Sequence, residues 1–199
     1  MTRGDAHTHT HTGTSCNYSR DKIECFRDLS IEIPQTTSSS FSLSTVLSQH
    51  FADEKVELRC EKCKGEHAVI SPRIKKLPPV LMIHLKRFHL NMQAAKIEKL
   101  NALIDAPESL NLKTFMDSKD QNHRTGYQLR GILRHHGRTA QGGHYTADMC
   151  LKLGGKGGDE KKSVWHSFDD SRVRKGKFGN YERERQETGY VLVYVNNSN

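Results

Sequence analysis

The sequence predicts an α+β fold, mainly antiparallel β-sheet with few helices, and three observations predict it. Apolar and polar residues alternate in Cys25 to Ile33 (Phe26, Leu29, Ile31, Ile33) and in Tyr127 to Arg134, a period of two marks a half-buried strand, and Ala68 to Ile74 also reads as a strand. Val80 to Phe88 is a nearly unbroken apolar run, and Tyr190 to Val195 is rich in β-branched and aromatic residues. Only Ser42 to Phe51 sets its apolar residues, Leu43, Val46, Leu47 and Phe51, at clear helical spacing, so one short amphipathic helix is expected there.

Taken in order, the chain opens with the alternation His7-Thr8-His9-Thr10-His11-Thr12. No hydrophobic residue there could anchor it to a core, so 1–14 is expected to be a disordered His/Thr tail. Such an alternation is also what a translated dinucleotide repeat reads, or it could be a histidine-rich metal tract. Pro34 closes the first strand, and Ser38 to Ser40 make a loop before the helix. Pro78-Pro79 marks entry into the central strand. A polar loop runs through Arg124, and Gly142-Gly143 introduces His144-Tyr145. The Gly- and Lys-rich insertion Leu153 to Lys162 sits between strand-like Tyr145 to Cys150 and Val164 to Phe168, which reads as a hairpin. There is no internal repeat.

At 199 residues the chain suits one domain or a piece of a larger one, and with 34% hydrophobic and 27% charged residues part of it should be loop. The net charge of +8 is spread along the chain instead of forming a stripe, which favours solubility with a mild bias to acidic partners. No nucleic-acid partner is expected: a basic zinc-ribbon reading would leave the histidine and aspartate motifs below unexplained. No stretch has the apolar length of a membrane span, and no apolar signal core follows Met1. The five cysteines, an odd number with one Cys-x-x-Cys pair, suit a reducing compartment, cytoplasmic and/or nuclear.

Cys60 and Cys63 form that pair, and a Cys-x-x-Cys turn sets two thiolates at the spacing of a zinc edge. Cys16 is the upstream candidate for a third ligand, while Gly13 stands where a matching Cys-x-x-Cys would have its first sulfur. The fourth ligand is open between His11, a water and no metal at all.

A second set of polar residues is embedded in strand-like sequence: His135-His136-Gly137, Gly142-Gly143-His144-Tyr145 and Trp165-His166-Ser167-Phe168-Asp169-Asp170. A histidine can take a proton from a thiol near neutral pH and return it to a leaving amine when a carboxylate fixes its tautomer. His144 and Asp169 can fill those roles. Adjacent glycines before the histidine let a substrate backbone come close.

These motifs resemble, in order and spacing, the histidine and aspartate boxes of the ubiquitin-specific protease family. Cys25-Phe26-Arg27-Asp28-Leu29-Ser30-Ile31, Leu77 to Phe88 and Gly189-Tyr190-Val191-Leu192-Val193-Tyr194 are similar to further family segments. The resemblance runs from about Cys16 to Val195. It implies residues 15–199 as a partial papain-like catalytic domain with fingers roughly over 15–75 and palm roughly over 76–199, the thumb missing. It also implies His144 as general base and acid, Asp169 as its orienting carboxylate, and Asp170 as an assistant or a substrate contact. His135, Gly142, Gly143 and Tyr145 would line the channel for the ubiquitin tail, and Cys16, Cys60 and Cys63 would hold structural zinc. No cysteine here matches the family's nucleophile box. The chain alone is therefore expected to be inactive as a deubiquitinase, with ubiquitin and ubiquitinated proteins as partners and a separate thumb-containing segment as a further one. The alternative is a non-catalytic ubiquitin-binding module. A palm without its thumb is also expected to expose an apolar face.

Overall fold

The computed structural model describes residues 7–13, 16, 18–36, 39–117, 124–152, 163–176 and 186–196, and of 7–13, 152 and 163 the backbone alone. The strands in chain order are β1 His7–Gly13, β2 Ser19–Glu24, β3 Leu29–Glu32, β4 Ser40–Ser42, β5 Glu54–Glu57, β6 His67–Ile74, β7 Val80–Lys86 and β8 Phe88–Asn91. They continue as β9 Lys96–Lys99, β10 Leu103–Asp105, β11 Ser109–Asn111, β12 Gly126–His136, β13 His144–Lys152, β14 Ser163–Asp169, β15 Arg172–Gly176 and β16 Gly189–Asn196. Helix α1 covers Leu43–His50, and a 3-10 turn covers Lys113–Phe115. The fold is α+β and dominated by antiparallel sheet, as expected.

Two sheets carry the architecture. The smaller has four strands in the order β2-β1-β6-β5, and the larger has eight, β15-β14-β13-β12-β16-β7-β3 with β11 pairing on β12. Within the larger sheet only the β3 to β7 pairing is parallel. The expected boundary near residue 75 is crossed in space, because β3 leaves the first third of the chain to become an edge of the larger sheet. Its Leu29 and Ile31 are buried there among the main core.

The first strand contradicts the sequence reading. His7–Gly13, expected to be disordered, is a strand paired on both sides, His7 with Glu24 and with Ile74. The physical reason is that a strand between two neighbours is held by its backbone ladder and needs no apolar anchor of its own, and β-branched threonine suits the pleat. The rest of the expected tail, 1–6 and 14, and the insertion 153–162 lie outside the described residues.

Helix α1 forms where the spacing placed it. The Ser42 side chain accepts a hydrogen bond from the Thr45 backbone N–H at 3.0 Å and so caps the N-terminus. Leu43, Val46 and Leu47 are fully buried against the sheet together with Leu81, Ile83 and Leu85 of β7. The other face of the large sheet carries exposed apolar side chains, Val80, Met82, Tyr145, Met149, Leu151 and Val173. The Met82, Val193, Gly131, Met149 register puts Met82 and Met149 on one face. This matches the expected exposed apolar face.

Arg87, at the break between β7 and β8, ties the core together. It is fully buried. Its guanidinium donates to the carbonyls of Gly189 at 2.5 Å, Leu100 at 3.1 Å, Ala102 at 2.8 Å and Gln186 at 2.6 Å. Burial, opposed by the charge of Glu187, lowers its pKa to about 10, so it stays protonated at neutral pH and each buried carbonyl keeps a charged donor.

Candidate active site

The site is set by the registers of β12, β13, β14 and β15. His136 lies opposite His144, and Asp169, at the end of β14, lies opposite Arg172. The strands bring His144 and Asp169 together across 25 positions of sequence, with Nε2 of the imidazole 2.6 Å from Oδ1 of the carboxylate. Because Nε2 is engaged, Nδ1 is the nitrogen left for proton exchange with a partner. Both side chains are about half exposed, 48% and 52%. The hydrogen bond to the Asp169 carboxylate, with the charges of Asp170 and Asp169 behind it, raises the His144 pKa above its ordinary value. The same bond, then the charges of His144, Arg172 and Arg174, lowers Asp169. Asp170 turns the chain into β15 with a φ of 50°, a left-handed conformation that aspartate tolerates better than most residues. Its ionisable atoms join the His144 and Asp169 group within 4.8 Å.

The four residues expected to line a channel gather one strand face away. His135 and Tyr145 face each other across β12 and β13, with ring centroids 4.9 Å apart. Phe88 at 5.3 Å and Tyr190 at 6.2 Å complete an aromatic cluster around the His135 ring. Burial, then the charges of Lys99 and His136, lowers the His135 pKa, so the ring is neutral at pH 7. Gly143 packs on that ring: a Cβ there would stand 2.2 Å from His135 Nε2 and 2.6 Å from the His136 carbonyl oxygen. At Gly142 a Cβ would meet nothing within 4 Å. Thus one glycine is required by the fold, and the other leaves open space for an approaching backbone.

Sequence reasoning missed Lys99. Its ammonium donates to the carbonyls of His135 at 2.7 Å and Gly137 at 3.0 Å and so clamps the turn that carries the glycines. Its targets are backbone oxygens, which no side-chain pattern could reveal. The β8 to β9 hairpin that delivers it was likewise not read. Beneath the dyad, Arg134 Nε lies 3.2 Å from Asp148 Oδ2 in a buried ion pair, and His136 Nε2 is 2.8 Å from the Thr146 hydroxyl.

No cysteine joins the group around His144 among the described residues. Cys150 is six positions along β13, roughly 20 Å away at strand rise, and lies 3.3 Å from Arg130. Cys16, Cys60 and Cys63 instead come together at the far sheet, with sulfurs within 4.8 Å of one another and Cys16 to Cys60 at 3.6 Å. The backbone N–H groups of Cys63 and Lys62, then the neighbouring thiols, pull Cys60 down to about 7. A thiol so easily ionised, flanked by two more, fits three positions of a tetrahedral structural zinc site. No fourth Cys, His, Asp or Glu completes it among the described residues. Of His11 only the backbone is described.

Known proteins are similar to this chain in sequence and fold. The family model for ubiquitin carboxyl-terminal hydrolase matches residues 15–194. Ubiquitin carboxyl-terminal hydrolase 23 of Arabidopsis thaliana is 31% identical over 160 residues, covering 79% of this chain and 17% of that protein. Ubiquitin carboxyl-terminal hydrolase 2 of Gallus gallus is 30% identical over 189 residues, covering 92% of this chain and 48% of that protein. Among solved structures, the SAGA Ubp8/Sgf11/Sus1/Sgf73 DUB module bound to ubiquitin aldehyde superposes with a TM-score of 0.78 at 25% identity, covering 96% of this chain and 41% of that one. The chain belongs to the ubiquitin carboxyl-terminal hydrolase family. It spans less than half the length of these relatives.

Proposed function

We propose that this chain is the part of a thiol-dependent deubiquitinase that supplies the histidine and aspartate for cleavage after the C-terminal glycine of ubiquitin. The observation that carries the reading is the 2.6 Å contact between His144 and Asp169, in a chain similar to ubiquitin hydrolases over most of its length. In this account Asp169 holds the imidazole so that Nδ1 takes the proton of a cysteine thiol and later returns it to the leaving lysine amine. Asp170 sits beside the dyad and assists it through its charge. His135, Gly142, Gly143 and Tyr145 form the channel for the ubiquitin tail, Gly142 offering the open approach. The smaller sheet corresponds to the fingers and the larger to the palm, and a bound zinc would brace the fingers through Cys16, Cys60 and Cys63. Five unpaired thiols suit the cytoplasm or nucleus.

The nucleophile must come from another segment, because no thiol reaches His144 among the described residues. Without it the same surface is a ubiquitin-binding module, and both readings share the grip on ubiquitin. A fluorogenic ubiquitin C-terminal amide tests the division: the chain alone is expected to leave it intact. Cleavage that His144→Ala abolishes would show that one of the five cysteines acts as nucleophile, and the account of the site would be wrong.

A further inference from the structure

The cavity on the dyad side of the large sheet, about 410 Å³, is bounded by His144, Asp169, Arg172, Arg174 and Lys175 among others. We infer that it receives an acidic stretch of the ubiquitin-conjugated protein, next to the modified lysine, held by Arg172 and Arg174. The inference rests on the deubiquitinase reading above and names the substrate class of the same site.

Charge is the first support. Asp169 is the only carboxylate in the lining among the described residues, and it is engaged by His144. Arg134 has Asp148 beneath it. Arg172 and Arg174 are exposed, and their side chains act on Asp169 through charge alone, with no side-chain hydrogen bond or ion pair among the described residues. The cavity therefore presents a net positive wall, whose complement is an acidic chain and not a basic one.

Sheet geometry is the second. β15 is the last strand of the sheet, so its outer backbone edge is unpaired among the described residues and can take an extended peptide as an added strand. By register Arg172 lies opposite Asp169 and Arg174 opposite Ser167. Both side chains accordingly share the face of the dyad, while Lys175, opposite His166, falls on the other face.

The side of the sheet decides which part of the substrate is met. His135 pairs with Tyr145 and His136 with His144, and neighbouring residues of a strand point to opposite faces. A ubiquitin tail running over His135, Tyr145 and Gly142 reaches the dyad from one face. What remains beside β15, on the other face, is room for the polypeptide that carries the leaving amine.

The test uses the full chain and short fluorescent peptides joined to ubiquitin through a central lysine whose flanks are acidic, neutral or basic. Free ubiquitin and the three unconjugated peptides run in parallel by anisotropy. At low salt the acidic conjugate is expected to bind roughly tenfold tighter than the neutral one, the combined worth of two exposed ion pairs, and the basic conjugate more weakly. The preference should shrink at high salt. It should halve or better in Arg172→Gln/Arg174→Gln and vanish or reverse in Arg172→Glu/Arg174→Glu, with free-ubiquitin affinity and circular dichroism unchanged. Equal affinities for the three conjugates, or a preference that survives charge reversal, would overturn the inference while leaving ubiquitin binding intact. If free ubiquitin does not bind, the deubiquitinase reading fails. The unconjugated peptides then decide on their own: an acidic preference lost on charge reversal keeps the basic cavity as an acidic-peptide site, and no preference removes it.

Discussion

Replacing Gly143 by alanine adds a single methyl group at a place with no room for it. The new Cβ would lie 2.2 Å from His135 Nε2, 2.8 Å from His135 Cε1 and 2.6 Å from the His136 carbonyl oxygen, against 3.4–4 Å for ordinary contact. The imidazole could swing, but it is held in the Phe88, Tyr145 and Tyr190 cluster. The carbonyl belongs to β12 and cannot move without breaking the ladder to β13. Overpacking of this kind costs about 1–3 kcal/mol, a fall in Tm of roughly 2–12 °C for a chain of this size. Gly142→Ala is the internal control, since its Cβ meets nothing within 4 Å, and it should stay within about 0.5 kcal/mol of the parent. Urea denaturation of the three proteins, with the His135 ring followed by NMR, reads both effects. Equal midpoints for Gly143→Ala and the parent, with an unmoved His135 signal, would refute the packing argument.

Further expectations concern other parts of the molecule. By NMR the His144 imidazole should titrate above 6.5, and Asp169→Asn should return it toward that value; a midpoint at or below 6.5 in the parent contradicts the hydrogen bond. Raised His144 contributes stability present below 6.5 and lost as pH rises through its folded value. Lowered Asp169 contributes stability present above 3.8 and lost as pH falls through its folded value. The pair is therefore complete only between the two folded values. Arg87→Met strips charged donors from the carbonyls of Gly189, Leu100, Ala102 and Gln186, and should cost more than roughly 3 kcal/mol in denaturant unfolding; a loss under about 1 kcal/mol would mean that those carbonyls find other donors. Zinc retained by the purified chain should disappear in Cys60→Ser and Cys16→Ser but not in Cys150→Ser, and retention in Cys60→Ser would remove the cluster as its site. The exposed face carrying Met82, Met149 and Val173 should bind a hydrophobic dye in the native state, whereas a sharp thermal transition without dye binding would show that face to be covered.

What was legible in the sequence follows the physics of burial. Helix α1 could be read because its apolar residues repeat with the helical period that burial imposes, and strand β7 because its apolar run is nearly unbroken. His144 and Asp169 could be read because their motifs carry chemistry in a fixed order. Strand β2 could not, since Ser19–Glu24 is exposed at every position and an edge strand of that kind has no apolar pattern. Strand β1 was misread for a related reason: its place is held by backbone pairing to β2 and β6. The β8 to β9 hairpin turns through Met92 to Ala95, with Ala95 at a φ of 47°, and lacks the glycine that would have announced it. Lys99 and Arg87 act on carbonyl oxygens brought near by the fold, so their partners exist only in three dimensions.

The measurement that bears most directly on the central claim is a calorimetric titration of this chain with intact ubiquitin and with ubiquitin lacking its C-terminal Gly-Gly. The account predicts that intact ubiquitin binds, and that removing the tail or substituting Gly143→Ala weakens binding. Failure to bind intact ubiquitin, or equal affinity for the truncated form, would contradict the assignment of His135, Gly142, Gly143 and Tyr145 as a tail channel leading to His144 and Asp169.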